Sequence, residues 1–274
     1  MKVITYQLIL FLFFISCSSS QEHQQKTEEK IVEAETDSTE LEKENMVEEI
    51  DTTIIDSVAL GLIFESRNNY VETVNNISNL RNKLADQYAQ ISDSVAQNRF
   101  LDSVSVNFTE RLLNDIVPYW YGTVWAFEGH TAKPNDGEIA CGYFVSTTLR
   151  DMGLQLNRYD LAKKAGAHEA QSIAIDQNNL SIYKNIDYTN QPSFLEDLSE
   201  GLYFVGLDNH VGYIYKKGLQ TYFLHSNYVD GHVMIEYTQT SSAFLSGVYY
   251  VTKITHNTAL MKSWLQQQQM FIYE

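Results

Sequence analysis

The sequence predicts an α+β protein, because helix-like periodicity in its first half gives way to strand-like runs in its second half. Between Ile77 and Ile116, apolar residues recur every three or four positions, which is the period of one face of a helix. From Gly201 onward, short runs rich in β-branched and aromatic residues alternate with turn residues. Helices followed by sequential strands are typical of α+β domains, here with an antiparallel sheet of about five strands.

Charge divides the 274 residues into unlike parts. The net charge is -16, and residues 18–56 carry -10 of it, with 13 acidic and 3 basic residues. Because phosphate binding needs a basic surface, this balance argues against a nucleic-acid partner. The two cysteines, Cys17 and Cys141, are too few for a disulfide-rich scaffold or a zinc site built from four cysteines.

The first residues have the features of an export signal. Lys2 precedes the apolar run Leu8–Ile15, which is too short to span a bilayer as a helix. Cys17 follows a small residue at the end of this run. The pattern resembles a bacterial lipoprotein signal, and the resemblance implies that Cys17 carries a lipid. A plain secretory signal with a chance cysteine, or a short membrane anchor, is the alternative.

Residues 18–56 are rich in Glu, Gln, Ser and Thr and contain no aromatic residue. Because like charges repel and few apolar groups offset the entropy of ordering, we predict a disordered, extended tether here, or a tail without a role. The sequence therefore predicts four parts: a signal at 1–17, the tether at 18–56, a helical segment at 57–117 and a further α+β part at 118–274.

The helical segment is predicted to be either an α-hairpin packed on the rest of the domain or a coiled-coil arm, and Pro118 is predicted to end it. A loop rich in glycine and aromatic residues follows, up to about Ala140. Further helices are predicted over Cys141–Met152, Arg158–Ile175 and Asn257–Gln268. Strands are predicted over Leu202–Leu207, His210–Lys216, Leu219–His225, Val233–Tyr237 and Gly247–Ile254.

Three residues in this second part form a candidate catalytic set. Cys141 begins a predicted helix, where the helix dipole and the free N–H groups lower the pKa of a thiol and can hold an oxyanion. His210 opens one predicted strand and His225 closes the next, so adjacent antiparallel strands bring them together. A cysteine nucleophile needs a base, and the base needs an orienting group.

This order of residues resembles the papain-like cell-wall peptidases of the NlpC type. The matching motifs are Pro118-Tyr119-Trp120-Tyr121-Gly122, Ala140-Cys141-Gly142-Tyr143-Phe144-Val145, Asp208-Asn209-His210-Val211-Gly212-Tyr213 and Leu224-His225-Ser226. The resemblance covers about half of the chain, and His-Val-Gly is its most specific motif. It implies a papain-like cysteine hydrolase domain over 118–274.

The resemblance also implies a role for each residue. Cys141 is the nucleophile, His210 the general base and His225 the orienting residue. Tyr119 matches a family tyrosine near the nucleophile, where it helps to hold the oxyanion. No cofactor is implied. The expected substrate is an amide bond of a peptidoglycan stem peptide, and the expected location is the cell envelope, on its periplasmic or outer-membrane face.

Three residues depart from the family pattern or extend it. Ala140 replaces an aspartate that holds the free amine of the substrate, which puts the usual cleavage site in doubt. We predict that Glu138 takes over this role. The stretch before Cys141 is longer than is usual in the family, and Trp125 within it is predicted to form a lid or a pocket wall, or else to pack on the sheet.

Other interpretations remain open at this point. Asn227 or Asp230 is an alternative third catalytic residue to His225. His210, His225 and His232 with a nearby carboxylate form an alternative metal site, which would leave Cys141 without a role. Two alternatives also remain for the function. One is a catalytically inactive binding protein of the cell envelope with the same fold. The other is a cysteine amidase or acyltransferase that acts on an amide outside peptidoglycan.

Overall fold

A computed structural model describes residues 55–66, 69–189 and 191–274 of the chain. The predicted signal, Cys17 and residues 18–54 of the predicted tether lie outside these residues. Within the described ranges, no helix is long and apolar enough to cross a membrane.

The first half of the described chain is helical, as predicted. Its elements are α1 (Ser57–Leu60), α2 (Tyr70–Ala89), α3 (Ser94–Arg111), a π-helical turn (Leu112–Ile116) and α4 (Val117–Trp120). The side chains of Asp56, Asn69 and Asp93 accept hydrogen bonds from the free N–H groups that begin α1, α2 and α3. Pro118 does not end a helix, contrary to the prediction. It lies at the junction where the π-helical turn continues directly into α4, and the helix runs on to Trp120.

The remaining elements alternate less regularly than the sequence suggests. They are α5 (Cys141–Asp151), α6 (Arg158–Ala162), α7 (Gly166–Ala174), β1 (Leu180–Lys184), α8 (Phe194–Asp197), β2 (Gly201–Gly206), β3 (Val211–Lys217), β4 (Gln220–Asn227), β5 (His232–Tyr237), β6 (Val248–Lys253) and α9 (Thr258–Leu265). The single helix predicted over Arg158–Ile175 is thus two helices. Gly166 begins the second helix. Its backbone packs against Gly206 of β2, so a Cβ atom on Gly166 would lie 2.8 Å from the Cα atom of Gly206.

The sheet has six antiparallel strands in the order β1-β6-β2-β3-β4-β5. This confirms the α+β class, and the five predicted strands all lie within two residues of the observed ones. The sequence missed β1, which lies at an edge of the sheet. Its residues are exposed or half-buried, so it lacks the apolar alternation of a covered strand.

Both faces of the sheet are covered. Along β2, Leu202 and Phe204 pack in the larger core with the helices, whereas Tyr203 and Val205 pack in a smaller core with Phe194 of α8. This alternation follows from the two-residue period of a strand. The position of α5 against β3 and β4 fixes where Cys141 lies.

The helices α2 to α4 are part of the main core and do not form a separate arm. Ile77 and Phe108 are buried in the same cluster as Phe144 of α5. The hydroxyl of Tyr70 donates to Asp151 of α5 at 2.5 Å, which ties α2 to α5. Residues 57–117 and 118–274 therefore share one core, and the boundary predicted at Pro118 falls inside it.

Candidate active site

Cys141 is the first residue of α5, as the sequence predicts. Ala140 precedes it in extended conformation, and its side chain offers no cap to the helix. Gly142 follows where a side chain has no room, because a Cβ atom there would lie 2.5 Å from the carbonyl oxygen of Ala162 in α6. The close contact between α5 and α6 therefore requires glycine at position 142.

The thiol of Cys141 does not have the lowered pKa expected from its place at a helix N-terminus. Burial, together with the charge of Glu169, raises the pKa of Cys141 to about 11. Hydrogen bonds from the backbone N–H groups of Val211, Gly142 and Cys141 itself act in the opposite direction but are outweighed. A pKa of about 11 favours the thiol form of the resting side chain at neutral pH, whereas the sequence predicts a lowered pKa.

His210 is held by a turn between β2 and β3. The backbone N–H of Leu207 donates to the carbonyl oxygen of His210 at 2.8 Å. Asp208 anchors the same turn to the start of β6, where its carboxylate accepts hydrogen bonds from the Ser246 hydroxyl at 3.1 Å and the Gly247 N–H at 2.8 Å. The His210 ring is thereby placed, 3% exposed, beside the start of α5.

A chain of three hydrogen-bonded side chains begins at His210. Its Nε2 lies 2.7 Å from Nδ1 of His225 on β4. Nε2 of His225 lies 2.9 Å from Oε1 of Glu236 on β5. His225 pairs with Met234 across the two strands, so Glu236 is its diagonal neighbour on the same face. The Ser241 hydroxyl donates to the same Glu236 oxygen at 2.6 Å.

The charges in this chain follow from its surroundings. Burial lowers the pKa of His210 well below its ordinary value, and the neighbouring His225 lowers it further. Burial also lowers the pKa of His225, against the opposing effect of Glu236. Burial raises the pKa of Glu236, but the hydrogen bonds from His225 and Ser241 outweigh it and leave that pKa below its ordinary value. At neutral pH both rings are neutral and Glu236 is a carboxylate.

These charges determine which ring nitrogens carry protons. A carboxylate only accepts hydrogen bonds, so Nε2 of His225 is the protonated nitrogen and Nδ1 of His225 is the acceptor. Nε2 of His210 must then be the donor to His225. Nδ1 of His210 is left unprotonated, with its lone pair available as a base.

Glu236 was not identified from the sequence. Its signal is a single acidic residue within the predicted strand Val233–Tyr237, next to the strand that ends at His225. Recognising it requires the register between β4 and β5, which the sequence does not fix.

The alternative third residue Asn227 has a different place. Its amide oxygen accepts the backbone N–H of Val229 at 2.7 Å, and its amide nitrogen donates to Asp230 at 2.6 Å. These bonds shape the turn between β4 and β5. The amide nitrogen also lies 3.4 Å from Glu236 Oε1. It is His225 that contacts His210, so His225 holds the orienting position.

A cleft of about 570 Å³ has both Cys141 and His210 in its wall. Trp125 lines it, as the prediction of a pocket wall requires. The ring centroids of Trp125 and Tyr228 are 6.2 Å apart, and those of Tyr228 and His210 are 5.1 Å apart. Tyr228 was not identified from the sequence, although it follows Asn227 in the turn after β4.

Two predicted substrate residues lie elsewhere. The hydroxyl of Tyr119 lies 3.0 Å from that of Thr73 on α2, and Tyr119 lines a separate hollow beside that helix. Glu138 is exposed in the loop before Cys141, and the acidic residue that lines the cleft is Glu128. The structure therefore does not bring Tyr119 or Glu138 to the cleft, which corrects both predictions. The motif did not predict the place of Tyr119 correctly, because the position of a residue in a motif does not determine which helix its hydroxyl contacts.

Hydrogen bonds hold the loop before Cys141 in place as a wall of the cleft. The guanidinium of Arg158 donates to the carbonyl oxygens of His130 at 2.6 Å and Thr131 at 3.2 Å. Within the loop, the N–H of Ala140 donates to Gly129 at 2.8 Å. These bonds favour a fixed wall over the predicted alternative of a lid.

The alternative metal site lacks a ligand cluster in the described ranges. No group of three or more His, Cys, Asp and Glu side chains there is placed to hold a metal ion. The ring of His232 instead pairs with the carbonyl oxygen of Asp230 at 2.9 Å.

Comparison with protein-family models, curated proteins and solved structures gives no match to this chain.

Proposed function

We propose that this protein is a cysteine hydrolase that cleaves an amide bond. Two observations carry the proposal: the chain from Glu236 through His225 to His210 leaves Nδ1 of His210 unprotonated, and His210 lines the same cleft as Cys141. A binding protein has no need of a thiol, a neutral imidazole and a half-buried carboxylate in this order.

The first chemical step forms a thioester. The Cys141 sulfur attacks the amide carbonyl carbon while its proton passes to Nδ1 of His210. The carbonyl electrons move to oxygen, and backbone N–H groups at the start of α5, that of Cys141 among them, stabilise the oxyanion. When the oxyanion collapses, the C–N bond breaks and His210 gives its proton to the leaving nitrogen. The products are an amine and a Cys141 thioester.

The second step restores the enzyme. A water molecule attacks the thioester carbon, and Nδ1 of His210 takes a proton from it. Collapse of the second oxyanion breaks the C–S bond, releases a carboxylic acid and returns the proton to sulfur. In both steps His210 becomes an imidazolium, which the Glu236 carboxylate stabilises through His225.

The proposed setting follows from the resemblance to NlpC-type peptidases and to lipoprotein signals. We propose a papain-like fold for the domain, attachment to a membrane through a lipid on Cys17, and a place on the periplasmic or outer-membrane face of the envelope. Stem peptides of peptidoglycan are then the first substrate class to test.

A second substrate class is an amide outside peptidoglycan, for hydrolysis or acyl transfer. It is favoured by Ala140, which supplies no carboxylate beside the nucleophile, and by the four aromatic side chains that line the cleft, Trp125, Phe127, Tyr143 and Tyr228.

The test is the release of new amino groups from peptidoglycan fragments and from simple peptide amides. We expect the wild-type protein to release them and Cys141→Ala and His210→Ala to lose at least about a thousandfold in rate. His256→Ala is the matched control, because His256 is exposed and pairs with Asp102. Equal rates for wild type and Cys141→Ala would refute the proposal.

A further inference from the structure

Four aromatic side chains line the cleft, namely Trp125, Phe127, Tyr143 and Tyr228. The rings of Trp125 and Tyr228 contact each other and form one wall. Because the Tyr228 ring contacts His210 on one side and Trp125 on the other, this wall begins at the proposed base.

The outer end of the wall is exposed to solvent. Phe127 is 80% exposed, and Tyr228 is 39% exposed. Large apolar side chains at the mouth of a cleft are typical of binding sites, since their exposure is otherwise unfavourable.

The wall is also preformed. The backbone N–H of Trp125 donates to the carbonyl oxygen of Gly231 at 2.8 Å, which joins the loop before Cys141 to the turn after β4. Val124 forms a further bridge to His232. A preformed aromatic surface loses little conformational entropy when a ligand binds.

Charged groups are few along this cleft. Glu128 and Lys163 are the acidic and the basic side chain among the residues that line it, together with four aromatic side chains. A ligand group that follows this surface therefore gains most from apolar contact.

We propose that Trp125, Phe127 and Tyr228, the aromatic rim, bind a large apolar group that the substrate carries next to its scissile amide. The preferred substrates are then amides that carry an aromatic or long aliphatic substituent next to the scissile amide. This inference rests on the proposed function for its position relative to Cys141. The binding itself does not require hydrolysis.

The test compares the alkylation of Cys141 by iodoacetamide and by N-benzyl iodoacetamide, using the full chain. Mass spectrometry of the digested protein reports the adduct on Cys141 separately from Cys17. We expect the benzyl reagent to be favoured at Cys141 at least about tenfold more than at a free thiol. Trp125→Ala and Phe127→Ala should each reduce this preference, and Phe271→Ala should not. Phe271 is the matched control, because it is 69% exposed and does not line the cleft.

Two results would overturn the inference. The first is a wild-type preference equal to that of a free thiol. The second is an unchanged preference in Trp125→Ala and Phe127→Ala. If Phe127→Ala leaves the preference unchanged but weakens binding of the protein to phosphatidylglycerol vesicles, the aromatic rim is a lipid contact and the inference is likewise overturned. A preserved preference without Cys141-dependent amide hydrolysis would instead refute the proposed function and leave the apolar site in place.

Discussion

Nε2 of His210 lies 2.7 Å from Nδ1 of His225, and both rings are buried. Two neutral imidazoles in contact can share a proton in either direction, so the pair alone does not define a base. The carboxylate of Glu236 on the other side of His225 removes this ambiguity, because it accepts a hydrogen bond and so requires the proton of His225 to be on Nε2. A residue that does not line the cleft thus determines which nitrogen of His210 is free.

Replacing Glu236 with Gln should reverse this hydrogen-bonded chain. A Gln amide can donate to Nε2 of His225, which turns Nδ1 of His225 into a donor and leaves Nδ1 of His210 protonated. We expect kcat for amide hydrolysis to fall about a hundredfold or more, with KM little changed. The measurement is steady-state kinetics on the best substrate found.

Two further variants show whether this loss comes from the proton arrangement. Glu236→Asp keeps the carboxylate and should retain more activity than the Gln variant. Glu200→Gln removes an exposed carboxylate that pairs with Lys217 and should have no effect. A Gln variant as active as the wild type would contradict the role of Glu236.

The reactivity of Cys141 should increase with pH well into the alkaline range. Because burial and Glu169 raise the pKa of Cys141 to about 11, the alkylation rate should follow a titration with that midpoint. Glu169→Gln should move the midpoint to lower pH, since Glu169 loses its own proton as pH rises and then places a negative charge near the sulfur. A rate that is already constant below about pH 7 would indicate a resting thiolate–imidazolium pair and contradict this account.

Glu169 should make the stability of the fold depend on pH. It is 1% exposed, its Oε2 has no hydrogen-bond partner among the described residues, and burial raises its pKa well above the ordinary value. The unfolded chain therefore releases this proton at lower pH than the folded chain. The contribution of protonated Glu169 to the free energy of unfolding is fully present below the ordinary Glu pKa, and it is lost as pH rises toward the raised pKa of the folded state.

Urea unfolding of Glu169→Gln and wild type, at several pH values, measures this effect. We expect the free energy of unfolding of the variant, relative to wild type, to increase between about pH 5 and about pH 8. Glu200→Gln again serves as the exposed control. A difference that does not change with pH would mean that Glu169 is not held protonated.

Gly212 should be intolerant of a side chain because of its neighbours on β4. A Cβ atom there would lie 2.6 Å from Cε2 of Phe223 and 2.9 Å from Cβ of His225. We expect Gly212→Ala to cost about 1–3 kcal/mol in unfolding free energy and to lower kcat by displacing His225. Leu219→Ala is the control, because Leu219 is 93% exposed. A Gly212→Ala variant with the same stability and kcat as Leu219→Ala would contradict the prediction.

The sequence was most informative where local chemistry decides the structure. The helix that begins at Cys141 and the strands around His210 and His225 follow from periodicity, turn residues and the His-Val-Gly motif. In that motif Gly212 is explained by packing, since β4 lies too close for any side chain.

The sequence was least informative where contacts join distant segments. Glu236 joins the site through the register of β4 and β5, and Tyr119 leaves it because its hydroxyl meets Thr73 of α2. The pKa of Cys141 was mispredicted for the same reason, since Glu169 and burial come from the folded surroundings and not from the start of α5.

The central claim is that the chain from Glu236 leaves Nδ1 of His210 unprotonated at neutral pH. Nitrogen-15 NMR of the histidine rings, with His210→Gln used to assign the signals, measures this directly. The account predicts a protonated Nε2 and an unprotonated Nδ1 for His210, and the reverse in Glu236→Gln. A protonated Nδ1 in the wild-type protein would contradict it.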